Sequence, residues 1–300
     1  MKKSTRLWCA ALLLACLTAL SPLGASGEIV ELPIDFTPGM PLSETYEIGK
    51  MEYEDPSIRV ERSYAPISVT YKGEGLTCNY YVVRVKIANA TQLRTVAADS
   101  FKSSMKDFVV DIISGMNAVL AINGDYYSDH PGAFLLRQGV LYRNSVLPDQ
   151  DVLLIDEAGD LHAILAEENP GQMDLTQVDG KKVINGFNFG PCIVRDGQRM
   201  DDSATYAKSP NNSKPWEPAQ RICIGQTGEL EYIIVACAFG IPLDQFADLV
   251  MSMGDVQTAY MLDGGNSVQV VFLGTKINNT SSAGRVVPDC IYFASAYQAD

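Results

Sequence analysis

The 300-residue sequence holds only two histidines, His130 and His162, and no Cys-x-x-Cys pair. Zinc sites draw on His and Cys at close spacing, so no metal centre of that kind is expected. There is no Gly-x-Ser-x-Gly elbow and no evident histidine partner for Ser267, which argues against a Ser-His-Asp hydrolase. Cation-binding loop spacing is absent too, although a Ca²⁺ or Mg²⁺ ion held by carboxylates is not excluded. Basic residues are scarce: 23 Lys+Arg face 36 Asp+Glu, a net charge of −13, and the only basic cluster is Lys2, Lys3 and Arg6. Such a chain repels phosphate backbones and anionic lipid surfaces, so nucleic acid is not an expected partner. Long apolar runs are missing as well. The one candidate, Leu7–Leu20, is shorter than the ~20 residues a bilayer needs, so no membrane span is expected.

That run follows the basic cluster and precedes the small residues of Ser21–Gly27. Basic, apolar, small is the order of a secretory signal, with cleavage after Ala25 or Ser26. A secreted or cell-envelope protein is the expectation. Leu13-Leu14-Ala15-Cys16 loosely matches a lipobox, which makes a lipid anchor at Cys16 the alternative. Removing residues 1–26 leaves 20 Lys+Arg against 36 Asp+Glu, or −16, and five cysteines: Cys78, Cys192, Cys223, Cys237 and Cys290. They are widely spaced, odd in number and set mostly in apolar runs. Buried inert thiols are expected, with at most one disulfide.

Residues 28–55 carry eight Asp/Glu, one Lys and little periodicity, so 27–60 reads as an acidic extended arm or linker. The domain proper is placed at 61–300. Ile67–Tyr71 and Tyr80–Ala88 read as strands. Phe101, Met105, Phe108, Val109 and Ile112 recur at helical spacing before Gly115, and the strand Ala118–Asn123 follows, which suggests a βαβ unit or a split version of one. Val152–Asp156 and Leu161–Leu165 read as a hairpin, Asp201–Pro218 as a long surface loop, and Arg221–Gly225 with Tyr232–Ala238 as a further strand pair. Phe246, Leu249, Val250 and Met253 mark a second helix closed by Gly254. Thr258–Leu262, Val268–Leu273 and Asp289–Ala294 complete the strands. The fold class is α+β: one mixed, largely β-sheet domain with two main helices.

Two strand ends stand out. Asn123-Gly124-Asp125-Tyr126-Tyr127 and Asp263-Gly264-Gly265-Asn266-Ser267 each combine a carboxylate with glycine, which lets a ligand approach the backbone closely. They are also ordinary turn formers. Arg221, opening an apolar strand, suits either a bidentate anion contact or a structural ion pair. His130 lies in the loop after the first of these turns and is a possible ligand contact, whereas His162 falls in a hairpin strand and reads as structural.

AINGDYY (121–127), FGPCIVRDGQ (189–198), RICIGQTGELEYIIVA (221–236), IPLDQFADLVMSMG (241–254) and YMLDGG (260–265), in that order, resemble the phosphodiester glycosidase family over roughly residues 71–297. The resemblance implies an α+β fold and cleavage between a sugar anomeric carbon and a phosphodiester oxygen, with no redox or nucleotide cofactor. It directs attention to Asn123 and Gly124, to Arg221, and to Asp263, Gly264 and Gly265. Asp263 and Asp125 are then candidates for the carboxylate near the anomeric carbon, and Arg221 for the cation on the phosphate. Asn123, Gly124, Gly264, Gly265, Ser267 and His130 would bind a carbohydrate or sugar-phosphate substrate. The family pattern usually continues with a third glycine and serines; here Asn266 and Val268 stand instead, and Val268 lacks a hydroxyl that could have met ligand. A non-catalytic glycan-binding or exopolysaccharide-assembly protein is the alternative reading, and another hydrolase a third.

Overall fold

The computed structural model describes residues 27–42, 51–201, 216–278 and 284–300. Nearly half of these residues lie in strands, and every strand pairing is antiparallel. An eight-stranded sheet runs in the order Gln198–Arg199, Cys192–Arg195, Thr258–Met261, Ala219–Gly228, Glu231–Ile241, Glu74–Ile87, Ile58–Tyr71, Glu52–Asp55. A five-stranded sheet runs Thr275–Lys276, Val270–Phe272, Ala118–Asn123, Asp289–Ala294, Leu93–Ala97. A six-stranded sheet contains Leu161–Ile164, Val152–Asp156, Lys181–Asn188, Leu135–Arg137 and Val140–Arg143, with Gln177–Val178 beside Lys181–Asn188.

The largest core joins all three sheets. Ile222, Ile224, Ile234 and Leu262 from the eight-stranded sheet and its end meet Leu120, Ile122, Ile291 and Phe293 from the five-stranded one, and Leu153, Ile155 and Phe187 from the six-stranded one. Alternation along each strand makes this possible. Between Ile222 and Ile224, Cys223 faces the other way, where it packs with Phe246, Ala247 and Val250 of the helix Leu243–Met251. Of the two helices expected, this is the longer, and its apolar face covers the sheet as the spacing of Phe246, Leu249 and Val250 requires.

The other helix is one turn, Val109–Ile112. Residues 101–107 have helical spacing but not helical structure. Ser103 Oγ accepts from the Met105 N–H at 3.1 Å, Asp107 Oδ1 accepts from the Phe108 N–H at 2.8 Å, and Asp107 bridges to Val287. Short polar side chains thus take up the backbone donors a helix would have used. The strand–helix–strand unit is of the split kind. Its first strand is Leu93–Ala97, whereas Tyr80–Ala88, all but Ala88, lies within the other sheet's strand Glu74–Ile87; Asp289–Ala294 is inserted between Leu93–Ala97 and Ala118–Asn123, antiparallel to both.

The described part of the acidic arm is extended and joined to the domain. Gly27–Ile29 pairs with Tyr297–Ala299, and Glu52–Asp55 pairs with Ile58–Tyr71, so the sheet continues through position 60. Arg94 is fully buried and donates to the carbonyls of Pro33, Asp35, Thr37 and Thr91 at 2.9–3.0 Å. All five cysteines, Cys78 to Cys290, are buried and unpaired by disulfides. Among the described residues no helix is long and apolar enough to cross a membrane. The secretory signal, the lipobox and most of the loop at 201–218 lie outside the described residues.

Candidate active site

The two glycine-bearing strand ends meet, although they come from different sheets. The Asn123 amide donates to the carbonyl of Asp263 at 2.9 Å and accepts from the Gln269 N–H at 3.1 Å. The Asp263 N–H in turn donates to the carbonyl of Gly124 at 3.2 Å. Asn123 is therefore a fastener between the turns, and its fully buried amide is satisfied.

Gly124 is required by its neighbour: a Cβ there would overlap the carboxylate of Asp289. Gly264 is required likewise, since its Cβ would fall 2.8 Å from the carbonyl of Gln220. Gly265 has φ +58, the left-handed region that glycine enters freely. Asn266 does not take up such a φ, so its presence leaves the turn intact. Val268 lies in the three-sheet core and is completely buried, so the missing hydroxyl takes nothing from the site.

Asp125 and Asp263 play different parts. Asp125 is buried in an ion triad: Arg137 Nη2 donates to Asp125 Oδ1 at 2.8 Å, and Arg137 Nε donates to Asp289 Oδ2 at 3.1 Å. The main-chain N–H of Asn188 supplies a further bond to Asp125 Oδ2 at 3.1 Å. Arg137 lies 3.9 Å from the centroid of the Phe187 ring and also donates to the carbonyls of Leu136 and Gly186. One cation faces two carboxylates in a dry environment. Burial pushes the Asp289 carboxyl up to about 7, against the pull of Arg137, and Asp289 Oδ1 is left without a hydrogen bond. This arrangement is a foundation rather than a reacting surface.

Asp263 is different. Its carboxylate is 10% exposed, and Arg285 Nη2 donates to Oδ2 at 2.9 Å while itself being 44% exposed. Arg285 Nε donates to Ser267 Oγ at 2.9 Å, which accounts for the buried hydroxyl of Ser267. Burial raises the Asp263 carboxyl above the usual carboxylate range, opposed by the Ser267 hydrogen bond and by Arg285. Arg285 Cζ stands 4.8 Å from the centroid of the Tyr126 ring, and Lys106 Nζ 4.6 Å from the same centroid. Tyr126 has φ +65, an uncommon conformation for a bulky residue that often accompanies a functional site. His130 joins this group through an edge-on contact with Tyr126, ring centroids 5.7 Å apart.

Arg221 lies on the strand beside Asp263: Cys223 pairs with Met261 and the Leu262 N–H donates to the Ile222 carbonyl, so the register brings Arg221 level with Asp263. It pairs across the sheet with Cys237 and shares its helix-covered face. There the buried guanidinium donates to the carbonyls of Ile241 at 3.3 Å and Glu217 at 3.2 Å. The structure thus brings Asn123, Gly124, Asp125, Asp263, Gly264, Gly265 and Ser267 together, connects His130 through Tyr126, and sets Arg221 on the neighbouring strand, one residue from the Gln220 carbonyl that Gly264 abuts.

Sequence reasoning missed Arg137, Asp289 and Arg285. The first two carried a signal: each is a charge within an otherwise apolar strand, in Phe134-Leu135-Leu136-Arg137 and Asp289-Cys290-Ile291, where burial demands a partner. Arg285 had none. Among the described residues no group of three or more His, Cys, Asp or Glu side chains is arranged to hold a metal ion.

Comparison with known proteins follows the same lines. The family model of phosphodiester glycosidases matches residues 116–294, a span that includes both turns, the triad and Arg285. No curated protein matches the sequence. Among solved structures, the catalytic domain of zebrafish N-acetylglucosamine-1-phosphodiester alpha-N-acetylglucosaminidase, auto-inhibited by its pro-peptide, superposes with a TM-score of 0.65 at 14% identity, covering 86% of this chain and 87% of that one. A hypothetical protein from Synechocystis (TM-score 0.48, 14% identity, 79% of this chain and 62% of that one) is a more distant match. Because the family model spans more than half of the sequence, the chain belongs to the phosphodiester glycosidase family.

Proposed function

We propose that this protein is an exported hydrolase that cleaves the bond between a sugar anomeric carbon and the oxygen of a phosphodiester, in envelope or exopolysaccharide material. The observation that carries the reading is the Asp263–Arg285 pair: a buried carboxylate bonded at 2.9 Å to a guanidinium that reaches solvent. Arg285 Nη1 has no hydrogen-bond partner in the described structure and is available to a substrate oxygen.

In the reaction the bond from the anomeric carbon to the bridging oxygen breaks, and its electron pair leaves with the phosphate. Water supplies the new oxygen at the anomeric carbon, and its proton passes to solvent or to the phosphomonoester product. The phosphomonoester anion departs with little or no protonation, so a second carboxylic acid beside the bond is less necessary than in ordinary glycoside hydrolysis. The site needs negative charge near the anomeric carbon and positive charge on the phosphate. Asp263 supplies the first, by stabilising or attacking that carbon. Arg285 supplies the second, and Arg221, which the sheet register brings level with Asp263, adds to it. Asp125, held by Arg137, fixes the backbone on which Asn123 and Gly124 present themselves. No redox or nucleotide cofactor enters.

The test is release of free sugar and phosphomonoester from a panel of sugar-1-phosphodiesters, beside matched simple glycosides. Turnover of the diesters supports the reading. Cleavage of the simple glycosides alone identifies an ordinary glycosidase, and saturable binding without turnover identifies a glycan-binding protein.

A further inference from the structure

The turn after Asn123-Gly124-Asp125 holds a tyrosine in a conformation that tyrosine resists. Tyr126 has φ 65 and ψ 30, the left-handed region, where Cβ crowds the following carbonyl. Its neighbours enforce that backbone. The Tyr126 carbonyl accepts from the Asp129 N–H at 3.2 Å, and the carbonyls of Tyr127 and His130 accept from Arg143, each at 2.9 Å. The Tyr127 ring is buried, its centroid 5.7 Å from that of Phe101. Strain of this kind persists only where the surroundings over-determine it. What it delivers here is the direction of one ring.

That ring meets two cations. Arg285 Cζ stands 4.8 Å from its centroid and Lys106 Nζ 4.6 Å, both inside the roughly 6 Å over which an aromatic face attracts a cation. Lys106 has a carboxylate of its own, Asp129. Burial pushes the Asp129 carboxyl up, and hydrogen bonds from Lys106, Ser128 and the Tyr126 phenol outweigh this and hold it below its usual range. The phenol is thereby anchored at its far end. Arg285 is less secure. It is 44% exposed, and its side-chain hydrogen bonds go to Asp263 and Ser267. A long side chain half in water gives up such a pair readily to rotamer entropy and hydration. The Tyr126 ring is the contact that opposes this.

We propose that Tyr126 is a positioning residue whose ring keeps the Arg285 guanidinium at Asp263 and Ser267, so that the charge pair survives the arrival and departure of substrate. This rests on the roles of Asp263 and Arg285 given above. The Asp263 carboxylate faces several charges: Arg285 is bonded to it, Arg221 comes level with it on the neighbouring strand, and Asp125 and Asp289, bridged by Arg137, repel it. Loosening Arg285 therefore makes Asp263 harder to ionise, and its titration moves to higher pH.

The test follows that titration by carbon NMR, on the full chain labelled at the aspartate carboxyl carbons, with the Asp263 signal identified by its loss in Asp263→Asn. In Tyr126→Leu, which loses the aromatic face, the midpoint is expected to rise by about 0.3–0.7, short of its value in Arg285→Gln. Tyr126→Phe, which keeps the ring, shows a smaller rise. Tyr126→Gly enters φ 65 without strain, is expected to fold, and shows the rise seen for Tyr126→Leu. A midpoint that stays put in the Leu and Gly variants overturns the proposal. So does loss of the folded spectrum in both, which makes Tyr126 a folding residue only. Turnover of a sugar-1-phosphodiester then separates the two readings. In Tyr126→Leu, kcat/KM is expected to fall about two- to fivefold, with the acid limb moving as the NMR midpoint does. A midpoint that moves in a protein that cleaves no diester keeps the positioning role and removes the hydrolase reading; turnover with an unmoved midpoint does the reverse.

Discussion

The side-chain amide of Asn123 is bonded to the main-chain carbonyl of Asp263 across a sequence separation of 140 residues. With the Asp263 N–H bond to the Gly124 carbonyl, it fixes one sheet's end against another's beside the Asp263–Arg285 pair. If Asp263 is the charge that acts on the anomeric carbon, Asp263→Asn keeps the shape and the Asn123 contact but lowers kcat on sugar-1-phosphodiesters by a factor on the order of 10²–10³ or more. Steady-state kinetics beside an unchanged circular dichroism spectrum checks this; full activity in the variant rules the role out.

The acid side of the pH–rate profile follows from the same pair. Burial raises the Asp263 carboxyl, and Arg285 opposes the rise. Activity that needs the ionised form is lost as pH falls through that raised value. Removing the cation in Arg285→Gln raises the carboxyl further, so the acid limb moves to higher pH as kcat falls. An acid limb that stays in place in the variant shows that Asp263 is not the group titrating there.

Arg137→Met removes the one cation between Asp125 and Asp289 and leaves two buried carboxylates unpaired. The expected loss is about 3–5 kcal/mol of folding stability, typical of breaking a buried ion pair from one side. Chemical denaturation measures it. A loss below about 1 kcal/mol, of the size seen for surface pairs, shows that the triad contributes little.

Asp289 gives stability its own pH dependence. Its carboxyl is pushed up to about 7 in the folded state from an ordinary 3.8. The folded protein therefore holds a proton more tightly than the unfolded chain, and the stability this provides is present below pH 3.8 and lost as pH rises to about 7. In Asp289→Asn that decline disappears, so the variant gains on the wild type with rising pH by at most about 1.4 kcal/mol per unit. Denaturant midpoints at pH 5, 6 and 7 decide it: a constant difference between the two proteins contradicts the assignment.

Glycine positions separate close approach from conformation. Gly265→Ala meets open space but must hold φ +58, at a cost of about 1–2 kcal/mol. Gly124→Ala drives a methyl into the Asp289 carboxylate and should prevent the two turns from meeting. Thermal unfolding of both variants ranks them; an unaffected Gly124→Ala protein contradicts the packing described.

Strands made of continuous apolar runs, buried on both faces, were legible, as in Val152–Asp156, Glu231–Ile241 and Asp289–Ala294. Leu93–Ala97 was not, because Arg94 and Thr95 interrupt its apolar pattern; both are buried, Arg94 on main-chain carbonyls and Thr95 on Asn185. Polar residues that find partners deep in a fold look, in sequence, like surface. The same blindness hid Arg137. The helix over 101–113 failed for the opposite reason: apolar spacing was right, but Ser103 and Asp107 captured the backbone locally. At the site, Asn-Gly and Asp-Gly-Gly were visible because turns need particular residues. The contact of Arg285 with Asp263 was not, since Arg285 lies in a loop with no pattern of its own.

The strand Asp289–Ala294 lies between Leu93–Ala97 and Ala118–Asn123, so the middle of the sheet carrying the site is supplied late in synthesis. Until it arrives, the two earlier strands have exposed edges toward each other and no bonds to share, and Gly124 has no carbonyl of Asp289 to meet. Assembly must then wait on a contact of very long sequence separation, which slows folding and keeps the waiting edges open to pairing with other chains. A ribosome-bound fragment halted before residue 289 is therefore expected to be protease-sensitive throughout the region around Asn123, however complete its N-terminal half.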